Sequence, residues 1–126
     1  LFGRLGGEEF GLLLHACSRE QGMGIANRIR IAIDAAPMGH DGRVIMVSAS
    51  VGMASTDASG YELKRICMEA DAALYRAKGT GRNRVIAHTT ADEFVEFEDR
   101  HEFVPTERPH QELQDDASSA CISARP

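Results

Sequence analysis

Residues 4–10 read Arg-Leu-Gly-Gly-Glu-Glu-Phe, and an apolar stretch follows them over residues 10–16. Two adjacent glycines before a strand predict a tight turn, because glycine adopts positive φ without steric cost. A turn without Cβ atoms also lets a ligand approach the main chain closely. Gly6 and Gly7 are therefore predicted to form a hairpin turn that a ligand can reach.

Two adjacent acids, Glu8 and Glu9, follow this turn. Neighbouring side chains on a regular strand point to opposite faces, but a turn can bring both carboxylates to one site. Mg²⁺ prefers oxygen ligands and usually bridges to substrate phosphates, so such a pair suits phosphoryl-type transfer. The alternative is an exposed hairpin tip with two solvated acids, and these four residues alone do not exclude it.

The residues after this turn alternate between strand-like and helix-like patterns. The apolar run over 10–16 predicts a strand covered on both faces. Ser18 and Gln21 have the spacing of a capping box, which predicts a helix that runs to about Ala36 and ends before Pro37. The residues predicted to form its apolar face recur at spacings of three and four: Ile25, Ile29, Ala32, Ile33 and Ala36.

The alternation continues after this helix. Residues 39–42 have turn composition, and residues 43–54, rich in Val, Ile and Met, predict one long strand or two joined strands. A second amphipathic helix is predicted over about 61–78, and residues 85–87 predict a final short strand. Strands that alternate with amphipathic helices indicate an α/β or α+β fold, in which helices pack on a sheet.

The formal net charge of −5 is unevenly distributed along the 126 residues. Residues 1–90 hold 11 basic and 9 acidic side chains, whereas residues 91–126 hold 3 and 10. A near-neutral body with an acidic tail argues against nonspecific binding to a nucleic-acid polymer. No apolar run approaches the roughly 20 residues that cross a bilayer. Three cysteines without a CxxC pair predict reduced thiols and a cytoplasmic location, with any membrane attachment outside this chain.

The composition changes near residue 91, where acidic residues, Ser, Gln and Pro dominate and periodicity is lost. We interpret residues 1–90 as the body of the domain and residues 91–126 as an acidic, disordered tail. The alternative is a segment that docks on the body or on a partner through Phe94, Phe97 and Phe103. The chain begins with Leu1, so we interpret it as a fragment of a longer protein.

Residues 70–85 form a second distinctive segment, Ala-Asp-Ala-Ala-Leu-Tyr-Arg-Ala-Lys-Gly-Thr-Gly-Arg-Asn-Arg-Val. Lys78 is predicted at the C-terminal end of a helix, where its charge also suits the helix dipole. Arg82 follows after two glycines that let the chain bend. Lys78 as a point charge and Arg82 as a fork could together clamp a polyphosphate.

Three segments together resemble one family. The segment over 4–10, Ser-Val-Gly-Met-Ala over 50–54, and Ala-Asp-x-Ala-Leu-Tyr-x-Ala-Lys-x-x-Gly-Arg-Asn over 70–83 have the order and spacing of GGDEF domains. The resemblance covers residues 4–85 and leaves the tail uncovered. It implies an α+β fold with a mixed or antiparallel central sheet flanked by helices, similar to nucleotide cyclases and the palm of polymerases.

The resemblance implies a diguanylate cyclase, which condenses two GTP molecules into cyclic di-GMP and releases pyrophosphate. Two domains face each other in a homodimer, so that each 3′-hydroxyl attacks the other nucleotide's α-phosphate. By position, Gly6 and Gly7 let the nucleotide approach. Glu8 and Glu9 bind Mg²⁺ or Mn²⁺, and Glu8 also helps to deprotonate the 3′-hydroxyl.

The resemblance assigns roles on the helices as well. Lys78 and Arg82 correspond to residues that bind the β- and γ-phosphates. Arg28 corresponds to a secondary arginine in inhibition by the product, with a solvated helix arginine as the alternative. Asp71 is predicted to serve structure, and Tyr75 to pack in the core or against a helix.

The resemblance also implies parts that would precede Leu1: a first strand with a second metal-binding Asp, helices that read guanine, and an inhibitory Arg-x-x-Asp motif. We therefore expect an N-terminally truncated domain with an exposed sheet edge, which invites pairing or aggregation. We expect little or no cyclic di-GMP synthesis by this chain alone. The alternatives are a catalytically inactive GGDEF module that binds GTP or cyclic di-GMP, or one that mediates protein interaction.

Overall fold

The computed structural model describes residues 1–90, 93–97 and 119–125. Strands and helices alternate along the chain, and the α+β class predicted from the sequence is confirmed. The elements are β1 (Phe2–Gly6), β2 (Glu9–His15), α1 (Arg19–Asp34), β3 (Met38–His40), β4 (Arg43–Ile45), β5 (Ser50–Ser55), α2 (Thr56–Ser59), α3 (Leu63–Gly79), β6 (Val85–His88), β7 (Phe94–Glu96) and β8 (Ser119–Arg125).

Six strands form the main sheet, in the order β1-β2-β8-β5-β6-β7. Strands β5 and β6 pair in parallel, and the other neighbours pair antiparallel, so the sheet is mixed as predicted. A separate hairpin joins β3 to β4 through Asp41 and Gly42, whose φ values of 47° and 72° suit a type I′ turn. The pattern predicted over 43–54 therefore corresponds to two strands in two different sheets.

The helices α1 and α3 cover opposite faces of the main sheet. Val51 and Met53 of β5 pack with Met23 and Ala26 of α1. The intervening Gly52 faces α3, where a Cβ atom would lie 2.2 Å from the Ala70 carbonyl oxygen and 2.2 Å from the Leu74 nitrogen. Only a glycine lets strand and helix approach so closely, and this contact fixes α3 against the centre of the sheet.

The start of α1 confirms the capping box. The Ser18 hydroxyl accepts a hydrogen bond from the Gln21 amide at 3.3 Å, and the Gln21 side chain accepts one from the Ser18 amide at 2.9 Å. The predicted apolar face of this helix is confirmed only in part. Ile25 and Ile33 are half-buried, whereas Ile29, Ala32 and Ala36 are exposed. The buried residues are instead Gly22, Met23, Ala26 and Asn27, so the stripe in closest contact with the sheet is displaced from the predicted one.

Two strands lie within the segment that we predicted as a disordered tail. β7 forms one edge of the sheet, and β8 lies between β2 and β5 and pairs antiparallel with both. Ile122 of β8 is 3% exposed and belongs to the core. Among the described strands, β1 and β7 are the edges of the main sheet. Phe103 and most other tail residues lie outside the described part, where disorder stays a prediction.

Within the described ranges, no helix has the length and apolar composition that a membrane span needs.

Candidate active site

The Gly-Gly segment forms the predicted hairpin turn between β1 and β2. Gly6 pairs with Glu9 across the hairpin, and Gly7 has a φ of 51°, in the left-handed region that favours glycine. Arg4 donates from Nε to the Gly7 carbonyl oxygen at 2.8 Å and also from Nη2 to the same oxygen. The sequence reasoning gave Arg4 no role, but its guanidinium fixes the turn from within the same hairpin.

The two glutamates of the turn have different surroundings. Glu8 is exposed at the tip, and Glu9 is half-buried as the first residue of β2. Glu9 lines a cavity of about 590 Å³ between the hairpin and α3, and Asp71 of α3 lines the same cavity. The rest of its lining is mainly apolar, with Leu5, Leu13 and Leu63 among the side chains. The structure therefore brings Asp71, which we had assigned to structure alone, to the same cavity as Glu9.

The Lys78–Arg82 segment lies at the C-terminal end of α3. Lys78 is half-buried in the last turn, and Arg82 is exposed in the loop that leads into β6. Arg82 and Asn83 have φ values of 61° and 45°, which non-glycine residues seldom adopt. The Arg82 amide donates to the Ala77 carbonyl oxygen at 2.9 Å and ends the helix.

The strand directions place the two segments at one end of the sheet. β2 and β5 are both antiparallel to β8 and thus run in the same direction, and β6 runs parallel to β5. The hairpin turn precedes β2 and the Arg82 loop precedes β6, so both lie where these strands begin, which we call the site end. Three strand spacings of about 4.8 Å separate β2 from β6, or about 14 Å.

Arg28 lies apart from these residues. It is exposed on α1, beside a shallow groove that Ile25, Ile29, Ile31 and Ala32 also line. Because α1 and α3 cover opposite faces of the sheet, Arg28 is on the other side of the sheet from the Glu9 cavity. Tyr75, predicted to pack in the core or against a helix, is 80% exposed on α3. That prediction was wrong.

A buried acid–histidine pair lies at the opposite end of the sheet. His88 ends β6, and its Nδ1 is 3.5 Å from Oε2 of Glu69, while Arg65 donates to Oε1 of Glu69 at 2.8 Å. Burial alone would raise the pKa of Glu69, but the nearby Ser59 hydroxyl, the hydrogen bond from Arg65 and the charges of His88 and Arg65 outweigh it. The pKa of Glu69 is therefore lowered. This pair fastens α3 to β6 away from the site end.

The carboxylates of the hairpin suit a hard divalent cation only in part. Among the residues that the structure describes, no group of three or more His, Cys, Asp or Glu side chains is placed to share a metal ion. Mg²⁺ usually takes one or two protein carboxylates and completes its shell with water and substrate phosphates. Glu8 and Glu9 are carboxylates of the chemical type that such a site uses, one exposed and the other half-buried.

Comparison with known proteins gives the family. A family model for the GGDEF domain of diguanylate cyclases matches residues 1–84, two thirds of the chain. The chain belongs to the GGDEF family. The matched residues of this GGDEF chain include the hairpin, Gly52 and the Lys78–Arg82 segment, but neither β7 nor β8.

Similar proteins carry cyclase names. Diguanylate cyclase A of Treponema denticola is 40% identical over 82 residues, which make up 65% of this chain and 22% of that protein. Probable diguanylate cyclase DgcE of Escherichia coli K12 is 40% identical over 85 residues, 68% of this chain and 8% of that protein. Diguanylate cyclase DgcP of Pseudomonas aeruginosa is 42% identical over 83 residues, which make up 65% of this chain and 12% of that protein. The chain spans less than a quarter of each relative.

Proposed function

We propose that this chain contributes the GTP site of a diguanylate cyclase. The observation that carries the proposal is the placement of the Gly6–Glu9 turn and the Lys78–Arg82 segment at the same end of the sheet. Acidic groups on one side and basic groups on the other suit a nucleotide whose phosphates also meet a divalent cation. A separation of about 14 Å between their strands leaves room for a nucleoside triphosphate between them.

In the proposed reaction, the 3′-hydroxyl of each GTP attacks the α-phosphate of the other. Two phosphodiester bonds form, two α–β phosphoanhydride bonds break, and two pyrophosphates leave. Gly6 and Gly7 let the nucleotide approach the turn, and Lys78 and Arg82 hold the β- and γ-phosphates as they become the leaving group. Because the two nucleotides attack each other, two such domains must face each other in a homodimer.

Glu8 and Glu9 would hold Mg²⁺ or Mn²⁺, which supplies charge stabilisation at the phosphates when it is bound. Glu8 also helps to accept the proton of the 3′-hydroxyl. Two adjacent glutamates make an incomplete site among the described residues. We therefore expect residues 1–126 alone to form little or no cyclic di-GMP, and clear turnover by them would contradict that.

Cyclic di-GMP formation from GTP and Mg²⁺ by the protein that carries this chain tests the proposal. The Glu8→Ala change should lower the rate at least 100-fold, in the range of lost general acid–base groups, with a normal unfolding transition. The control is Glu62→Ala, an exposed acid before α3 and far from the site end, which should keep the wild-type rate. Normal synthesis by Glu8→Ala would refute the assigned role. Binding of GTP without any synthesis by the unmodified protein would instead support a nucleotide-binding module.

A further inference from the structure

The backbone of the Arg82 loop is held in an unfavourable conformation. Arg82 and Asn83 are consecutive non-glycine residues in the left-handed region. Asparagine adopts this region more readily than most residues, but for Arg82 it brings Cβ against the following carbonyl oxygen, and such conformations persist where surrounding contacts impose them. Strain of this kind clusters at ligand clamps and other functional sites. The contacts that impose it are therefore informative about function.

One contact comes from α1, more than fifty residues earlier in the chain. Arg30 donates from Nη1 to the side-chain oxygen of Asn83 at 3.0 Å. The Nε of Arg30 donates to the side-chain oxygen of Asn27 at 2.9 Å, and Asn27 is only 8% exposed. Asn27 thus orients the Arg30 guanidinium that donates to Asn83. Through Arg30, Asn83, the residue next to Arg82, is connected to the buried Asn27 of α1.

The second contact comes from β7, after the loop. Arg84 donates from Nε to the Arg82 carbonyl oxygen at 3.1 Å and from Nη1 to Glu96 at 3.1 Å. β7 is itself anchored, because Phe94 packs against Ala73, Ala77 and Ile86. Glu96 therefore orients the arginine that holds the Arg82 main chain.

We propose that Arg30 and the Arg84–Glu96 pair are positioning residues that present Arg82 to the β- and γ-phosphates of the bound nucleotide. The inference rests on the function proposed above, and assigns to β7 a role in nucleotide affinity. In this proposal neither Arg30 nor the Arg84–Glu96 pair contacts the nucleotide. Each fixes the backbone from which the exposed Arg82 side chain extends.

Two variants test this in the protein that carries the chain. Glu96→Gln removes the charge that orients Arg84, and Glu93→Gln, an exposed acid just before β7, is its matched control. Asn83→Gly removes the acceptor for Arg30 and still permits positive φ. The measurements are the affinities for GTP and for GMP, which lacks the β- and γ-phosphates, in the wild-type and Arg82→Ala backgrounds.

The expected result is a loss of GTP affinity of about two- to five-fold for Glu96→Gln, the range that partly exposed ion pairs support, and a similar loss for Asn83→Gly. GMP affinity should not change, and neither variant should have a further effect in the Arg82→Ala background. Equal losses for GTP and GMP, unchanged GTP affinity, or full additivity with Arg82→Ala would overturn the inference alone. If the unmodified protein binds no GTP, the proposed function and this inference both fail.

Discussion

The hairpin turn and the Arg82 loop reach the same end of the sheet by different means. At the turn, Arg4 donates hydrogen bonds to the Gly7 carbonyl oxygen from within the same hairpin, and a glycine occupies the left-handed position. The loop instead has two non-glycine residues in that region and depends on Arg30 and on Glu96 through Arg84. The turn is thus held by hydrogen bonds within its own hairpin, whereas the loop is held by residues from α1 and β7 that only the folded domain brings to it.

The largest expected effect on stability comes from disturbing the packing of α3 on the sheet. Gly52→Ala would force a Cβ atom into the backbone of α3, and we expect a loss of about 3 kcal/mol or more in the free energy of unfolding. Urea denaturation of the chain measures it. Gly24→Ala is the control, since a Cβ there meets nothing within 4 Å and alanine favours a helix. If both variants were equally stable, the close packing of β5 on α3 would be wrong.

A smaller effect is expected at the far end of the sheet. Glu69→Gln should lower the free energy of unfolding by about 1–2 kcal/mol at neutral pH, because a hydrogen-bonded buried charge is lost. The folded state lowers the pKa of Glu69 below its ordinary value of 4.5, so the carboxylate stabilises the fold above that pH. This stabilisation is lost as the pH falls through the folded-state pKa.

Denaturation of Glu69→Gln and of its control Glu62→Gln across pH 3–7, a range set about that ordinary value, gives the comparison. The difference between wild type and Glu69→Gln should shrink toward acid pH, and the difference for Glu62→Gln should stay small throughout. A difference that grew toward acid pH would contradict the direction assigned to the pKa of Glu69.

The turn itself should show the smallest effect on stability. Gly7→Ala places a Cβ in the left-handed region, at a cost of about 1 kcal/mol, although no atom beyond the neighbouring residues in the chain lies within 4 Å of it. Gly6→Ala, also without neighbours and outside that region, should change stability by less than about 0.5 kcal/mol. If thermal denaturation showed equal effects for Gly7→Ala and Gly6→Ala, the positive φ of Gly7 would not explain why a glycine is needed at that position.

The hairpin turn was predictable from the sequence, whereas the Arg82 loop was predictable only in part. The turn and the capping box at Ser18 follow from short patterns, since their hydrogen bonds join near neighbours. The local pattern also predicted the positions of Lys78 and Arg82, and the resemblance gave their roles. The hydrogen bond from Arg30 to Asn83 links residues 53 apart and leaves no local pattern. The strands β7 and β8 were not predicted for the same reason. Their periodicity in the sequence is weak, and they are stabilised by pairing with strands that are distant in the chain.

The face of α1 shows a related limit. Spacing identified a helix correctly, but two stripes of that helix contain apolar residues, and only packing decides which stripe is buried. Met23 and Ala26 contact the sheet, while Ile29 and Ile31 remain exposed. The family and the candidate residues could be read from the chain, whereas the supports of the Arg82 loop required coordinates.

The most direct test of the proposed site is steady-state GTP turnover by Glu8→Gln and Arg82→Ala, measured in parallel in the protein that carries this chain. We expect Glu8→Gln to lower kcat with little change in KM, because the turn is proposed to act on the reacting 3′-hydroxyl. We expect Arg82→Ala mainly to raise KM, because the loop is proposed to hold the phosphates. If the two variants changed kcat and KM in the same way, or if either kept wild-type kinetics, the proposal that the hairpin turn and the Arg82 loop form one site with different roles would be wrong.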